Sequence, residues 1–205
     1  MTTRTAELAA ETRAAALDLQ HEWDRRAIDW PLDKNSVVVE VGGYKGRWAL
    51  QIAERYQPRL YVFEPQEWAY GVCCAVLGDR ATVLPYGLGV EDGYLPMGEY
   101  ETDGCSFIKE YEPYAACQIK VIDAVFRHFG ITHIDLMLMN IEGYEYTLLP
   151  YMFERGILPC RLMVQFHTFA DKDGMHLAKI YQRLEEHHYR IAWTYGVMLT
   201  AWEKN

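Results

Sequence analysis

Glu40, Glu64, Asn140, Glu142 and His167 each stand where an apolar run of the sequence stops. Carboxylates and an amide at such ends accept hydrogen bonds from hydroxyl and amine groups. A histidine in the same company can carry a proton near neutral pH. Beside the first acid runs Glu40-Val41-Gly42-Gly43-Tyr44-Lys45-Gly46, a turn whose glycines let a ligand approach the backbone. Beside the second, Glu64-Pro65 closes another apolar run. The residue types suit a nucleotide-like ligand held by Glu40, Gly42, Gly43, Tyr44, Gly46, Glu64 and Pro65, with Asn140 as a further contact. They also suit proton chemistry at Asn140, Glu142 and His167.

The glycine spacing narrows the ligand. A dinucleotide fingerprint reads G-x-G-x-x-G, and its first glycine would fall at Val41. The chain instead has acid-x-G-x-x-x-G, from Glu40 through Gly42 to Gly46. No glycine is followed by Lys and then Ser or Thr, so a phosphate-binding loop is absent. An acid closing the second strand of a βαβ unit reaches a ribose diol, which is the place of Glu64. S-adenosyl-L-methionine has that diol and no pyrophosphate, so it needs fewer backbone donors. NAD is the poorer alternative, because Val41 replaces a glycine.

Strands and helices must place these groups. Val37 to Val41 is a valine-rich run of the kind found in buried parallel strands. From Arg47 the period changes, and Trp48, Ile52 and Tyr56 fall one helical turn apart. Leu60 to Phe63 is the second strand, 66 to 77 a helix, and Ala81 to Tyr86 the third strand. Residues 87 to 118 read as short antiparallel pairing and loops facing the site, with Ser106 among them. Ile119 to Val121 reads as a short strand and Ile122 to Phe129 as a helix, with His128 a surface residue near its end. Ile134 to Met139 and Arg161 to His167 are further strands, with helix between them through Leu148, Leu149 and Phe153. A helix from Gly174 to His187 precedes a hairpin of Tyr189 to Trp193 and Val197 to Trp202, turning at Thr194-Tyr195-Gly196. The order predicts an α/β fold: a doubly wound, Rossmann-like, mostly parallel seven-stranded sheet with a C-terminal antiparallel hairpin. Ligands of such sheets lie beyond the carboxyl ends of the strands, where the five polar residues fall.

Leu8, Thr12, Ala15 or Ala16, Leu19 and Trp23 keep helical spacing, which predicts a helix over 5 to 28 ending at Trp30-Pro31. It would pack on the sheet edge, or else form a lid or dimer contact. Residues 1–30 thus read as a helical extension before one domain over 31–205.

The 205 residues are half hydrophobic and a quarter charged, ordinary for a soluble domain. A net charge of −9 argues against a nucleic-acid partner. No apolar run approaches the roughly 20 residues that span a bilayer. The N-terminus lacks the apolar segment of a signal peptide. Five cysteines without a C-x-x-C pair suit a reducing cytoplasm, where thiols act as small hydrophobes. His187-His188, without an acid or cysteine cluster, reads as surface, and no metal is expected.

With these residues in view, the chain resembles the FkbM family of S-adenosylmethionine-dependent methyltransferases. The resemblance spans roughly residues 36 to 168. It rests on Glu40 to Gly46, Phe63-Glu64-Pro65, Gly87-Leu88-Gly89 with Asp92-Gly93 and Ser106, and Ile134-Asp135-Leu136 leading into Ile141-Glu142-Gly143-Tyr144-Glu145. It implies a class I methyltransferase fold and O-methylation of a hydroxyl on a sugar or another small polar molecule. The chain departs from the family pattern at Leu138 for Lys, Asn140 for Asp, Gln165 for an acid and Tyr44 for Asn. Two amides in place of carboxylates weaken the case for a divalent cation.

Methyl transfer to an alcohol needs alignment of acceptor, methyl and sulfur, and a place for the hydroxyl proton. His167 is the candidate base, the alternative being a hydrogen-bonded histidine at a strand end. Glu142 is a second candidate base, an orienter of His167, or a cap on a helix beginning at Gly143. Asn140 accepts from the ligand's ammonium, binds substrate, or is a turn residue. Tyr44 and Lys45 meet the ligand's carboxylate, or Lys45 is solvated. A non-catalytic module binding S-adenosylmethionine or its product is the alternative to an enzyme, with an NAD-dependent oxidoreductase third.

Overall fold

The computed structural model describes residues 3–17, 22–99, 105–106, 113–195 and 199–205. The chain forms two compact units, residues 1–87 and 88–205. Its strands are those of a seven-stranded, mostly parallel sheet and a smaller four-stranded one.

The first unit opens with helices α1 (Thr3–Leu17) and α2 (Glu22–Ile28), followed by strand β1 (Val37–Val41) and helix α3 (Arg47–Tyr56). Strand β2 (Arg59–Phe63), helix α4 (Glu67–Leu77) and strand β3 (Thr82–Leu84) complete it. β1, β2 and β3 pair in parallel, with Glu40 opposite Val62 and Val41 opposite Phe63. All five residues of β1 are buried, as a strand covered on both faces requires. Of the helix expected over 5 to 28, residues 5–17 and 22–28 are helical and 18–21 lie outside the described residues. Leu19 lies outside the described residues. α1 lies against α3 and α4 instead of the sheet edge. Its Arg13 guanidinium donates to the carbonyls of Ala75 and Val76 at the end of α4. The aromatic residues of α3 tie down α2. Trp48 Nε1 donates to the Ala27 carbonyl at 2.8 Å, and Tyr56 Oη donates to that of Ile28 at 2.9 Å. Helix-end carbonyls lack partners within the helix, so these bonds satisfy them.

The second unit carries strands β4 (Gly87–Gly89, from the last residue of the first unit), β5 (Gly93–Glu99), β6 (Cys105–Ser106) and β7 (Pro113–Val121). They form the four-stranded sheet in the order β4-β7-β5-β6, with β5 antiparallel to both β6 and β7. The short strand expected at Ile119 to Val121 is therefore the end of a nine-residue strand. Gly89 is required in β4, since a Cβ there would stand 2.4 Å from Ile119 Cγ2. Helix α5 (Ile122–Phe129) ends on Gly130, whose φ of +64° closes it in the left-handed region. Strand β8 (Leu136–Met139), helix α6 (Glu145–Glu154), strand β9 (Arg161–Gln165), helix α7 (Met175–Glu186) and strands β10 (Tyr189–Tyr195) and β11 (Leu199–Lys204) follow. β8 and β9 are parallel; β11 runs antiparallel to β9 and pairs with β10, the expected terminal hairpin. Thr194 and Tyr195 belong to β10, while Gly196 and Val197 lie outside the described residues. No helix among the described residues is long and apolar enough to cross a membrane.

Candidate active site

In the first unit the chain leaves β1 into a turn with repeated positive φ: Gly42 at +88°, Tyr44 at +46° and Gly46 at +77°. Glycine enters that region freely, whereas a tyrosine there is strained by about 1–3 kcal/mol. The strain gives the departure at Tyr44 its physical meaning, because asparagine tolerates left-handed backbone better. Tyr44 is held by an edge-on contact with Trp68, ring centres 5.4 Å apart, with Lys45 Nζ 4.8 Å from its ring centre. The Gly42 and Gly43 amides donate to the Phe63 carbonyl, at 2.9 and 3.2 Å. Gly43 admits no side chain, since a Cβ would lie 2.2 Å from Val62 Cγ1. Gly46 starts α3, and a Cβ on it would press on Cys73 Sγ at 3.0 Å.

Glu64 joins the two strand ends. Its Oε2 accepts the Tyr44 amide at 2.7 Å and its Oε1 accepts that of Gln66 at 2.8 Å, so Pro65 is fixed between two bonded residues. Burial raises the Glu64 carboxyl to about 7, although the two backbone bonds pull the other way. Glu40 is deeper. Burial, and then the charge of Glu64, hold its carboxyl well above the usual range. Its Oε2 is buried with no hydrogen-bond partner among the described residues. Burial and the same two acids push the Cys73 thiol up, leaving it neutral. The unit thus holds two buried carboxyls, a glycine turn and an unused acceptor. Such a place suits a ligand rich in hydroxyl or amine donors and ill suits another anion.

In the second unit Asn140 follows β8, half-buried, its Oδ1 lacking a partner among the described residues. Glu142 (φ +54°) and Gly143 (φ +100°) then turn the chain. Two left-handed residues cannot begin a helix, so α6 starts at Glu145 and Glu142 is not its cap. Glu145, in the first turn of α6, braces the preceding turn: its Oε2 accepts the Gly143 amide at 2.9 Å. Its Oε1 accepts the His167 amide at 2.7 Å and meets His167 Nδ1 at 3.0 Å. His167 Nε2 lies 3.4 Å from Glu142 Oε2. Burial alone would lower the His167 imidazole. The hydrogen bonds to Glu142 and Glu145 outweigh it and raise the ring to about 9. That environment favours the protonated ring, and it fits the hydrogen-bonded histidine at a strand end that is the alternative to a base. Between two carboxylates it is an imidazolium at neutral pH.

Glu145, fully buried, is the site residue that sequence reasoning missed. The signal was available: an acid in the first turn after Gly143 reaches back to a free backbone amide. Its second role, gripping both the backbone and the ring of His167, depends on the return of the chain after β9.

The fold recurs in solved structures at low identity. A Streptococcus mutans protein described as a methyltransferase, in complex with SAH, is 13% identical with a TM-score of 0.56, over 90% of this chain and 97% of that one. The SAH-bound Podospora anserina methyltransferase PaMTH1 is 11% identical with a TM-score of 0.51, over 100% and 89%. An rRNA methylase from Streptococcus thermophilus is 14% identical with a TM-score of 0.50, over 100% and 98%. These define the class, an α/β fold of the methyltransferase type. No curated protein matches the sequence. The chain belongs to the methyltransferase FkbM domain family, whose model matches residues 40–191.

Proposed function

We propose that the protein is an S-adenosylmethionine-dependent O-methyltransferase acting on a hydroxyl of a sugar or another small polar molecule. The carrying observation is the pair of buried acids at the ends of β1 and β2, one with an unused oxygen. Glu64 accepts from the ribose diol through lone pairs left over from its backbone bonds, and Glu40 accepts a hydroxyl or amine of the same ligand. Gly42, Gly43 and Gly46 let the ligand lie against backbone, and Tyr44 and Lys45 bound it. The ligand supplies a methyl on a sulfonium, open to direct displacement by an oxygen.

The chain's own chemistry is the fate of the hydroxyl proton. His167 already carries its proton, so the Glu142 carboxylate receives the one from the acceptor, and the imidazolium beside it stabilises the charge. Glu145 fixes Nδ1 of His167, which leaves Nε2 aimed at Glu142. Asn140 offers its unused oxygen to substrate or to the ligand's ammonium. The Asn140 and Gln165 amides favour one second reading, a module that binds the ligand without turnover. Methyl-labelled S-adenosylmethionine incubated with the protein and a pool of small polar metabolites separates the two. The proposal expects labelled ethers and stoichiometric SAH, and binding without label transfer would leave only the module.

A further inference from the structure

His133, Asp135 and Cys160 lie apart in sequence from the residues discussed above, before strands β8 and β9. Their ligand atoms all lie within 4.8 Å of one another. His133 Nε2 is 3.2 Å from Asp135 Oδ1 and 3.7 Å from Cys160 Sγ. From that geometry we propose a divalent-metal site of the zinc class, held by an imidazole, a carboxylate and a thiolate.

The two distances from His133 Nε2 fit the chemistry. In a tetrahedral zinc site with ordinary bond lengths, imidazole nitrogen and carboxylate oxygen stand about 3.3 Å apart, and nitrogen and thiolate sulfur about 3.6 Å. An ion pair of His133 and Asp135 would need no thiol, yet Cys160 completes a third corner. Nitrogen and thiolate ligands select zinc over calcium or magnesium, which take oxygen. The fourth position goes to water, and entry is open, the His133 side chain being 61% exposed. Binding releases the thiol proton.

The scaffold holds the three ligands in place. His133 and Asp135 flank Ile134, whose carbonyl accepts the Cys160 amide at 2.8 Å. The Cys160 carbonyl in turn accepts the Lys204 amide at 2.9 Å. Cys160 is thus pinned by backbone on both sides, and the Tyr189 hydroxyl bonds the Pro159 carbonyl just before it. A ligand set held by bonded backbone just before two strands loses little freedom on binding. The H-x-D spacing, which puts alternate residues on one face, was the only trace in sequence, and the cysteine is supplied by topology.

Titration of the reduced full-length chain with Co²⁺, then competition with Zn²⁺, tests the site. The proposal expects one metal per chain, a cobalt–thiolate charge-transfer band, and its displacement by zinc. Cys160→Ser should abolish the band, and the exposed His133→Ala should weaken binding by an order of magnitude or more, both variants melting like the metal-free parent. Absence of the band would overturn the site. So would a band that survives Cys160→Ser, since another thiol would then be the ligand.

Discussion

Two regions of this chain each set a pair of acids near strand ends, Glu40 with Glu64 and the half-buried Glu142 with the buried Glu145, and they answer burial in opposite ways. Around Glu142 and Glu145 the chain supplies its own cation, and His167 rises to about 9 as the two carboxylates share it. Around Glu40 and Glu64 burial prevails, and at Glu40 the charge of Glu64 adds to it. Backbone amides reach Glu64, and both carboxyls still move up. The answer at Glu142 and Glu145, the second region, makes a self-contained proton-handling group. The answer at Glu40 and Glu64, the first region, leaves a need that a donor-rich ligand would meet. In the proposed function, proton chemistry and ligand grip thereby fall to different acids by electrostatics, not by residue type.

The comparison breaks most sharply at the chemistry. Glu142→Gln should lower turnover by about 10²–10⁴-fold, the range of a lost proton acceptor, with S-adenosylmethionine affinity unchanged. Single-turnover transfer and calorimetric binding would check the two halves of that statement. Removing the cation makes the second region resemble the first. His167→Ala should destabilise the chain by about 3–5 kcal/mol, because Glu145 is left charged, buried and unpaired, and denaturant unfolding reads the loss. Glu145→Gln, together with His167→Ala, should recover part of it.

The pH dependence separates the regions without a drastic change. Both raised groups stabilise the fold at low pH and lose that contribution as pH rises. For Glu64 the contribution is present below 4.5 and is lost through about 7. For His167 it is present below 6.5 and is lost through about 9. Ligand-free melting temperature should fall across both windows. Glu64→Gln should flatten the lower window and His167→Gln the upper. A smaller effect, about 1–3 kcal/mol, is expected for Gly43→Ala from the collision with Val62, and Val62→Ala should relieve it. The least is Asn140→Ala, whose oxygen has no partner among the described residues, so its melting temperature should stay with the parent.

The elements were legible because their signals are local. The valines of β1, the glycine at the end of α5 and the apolar run of β8 each carry their own period or stop signal. The ligand turn was legible for the same reason, since Gly42, Gly43 and Gly46 must be glycine where backbone bends or crowds Val62. What sequence could not convey is the company each side chain keeps. His167 read as an ordinary imidazole because Glu145, 22 residues away in sequence, meets it only where the chain returns after β9. The seat of α1 on α3 and α4 likewise depends on partners, such as the α4 carbonyls that bind Arg13.

The central claim is that the buried acids of the first region grip an adenosine-bearing methyl donor. Calorimetric titration of S-adenosylmethionine into the parent, Glu64→Ala and His167→Ala tests it most directly. The account expects one site per chain, affinity lost by more than an order of magnitude in Glu64→Ala, and affinity retained in His167→Ala. No heat of binding in the parent, or equal affinity in Glu64→Ala, would contradict it.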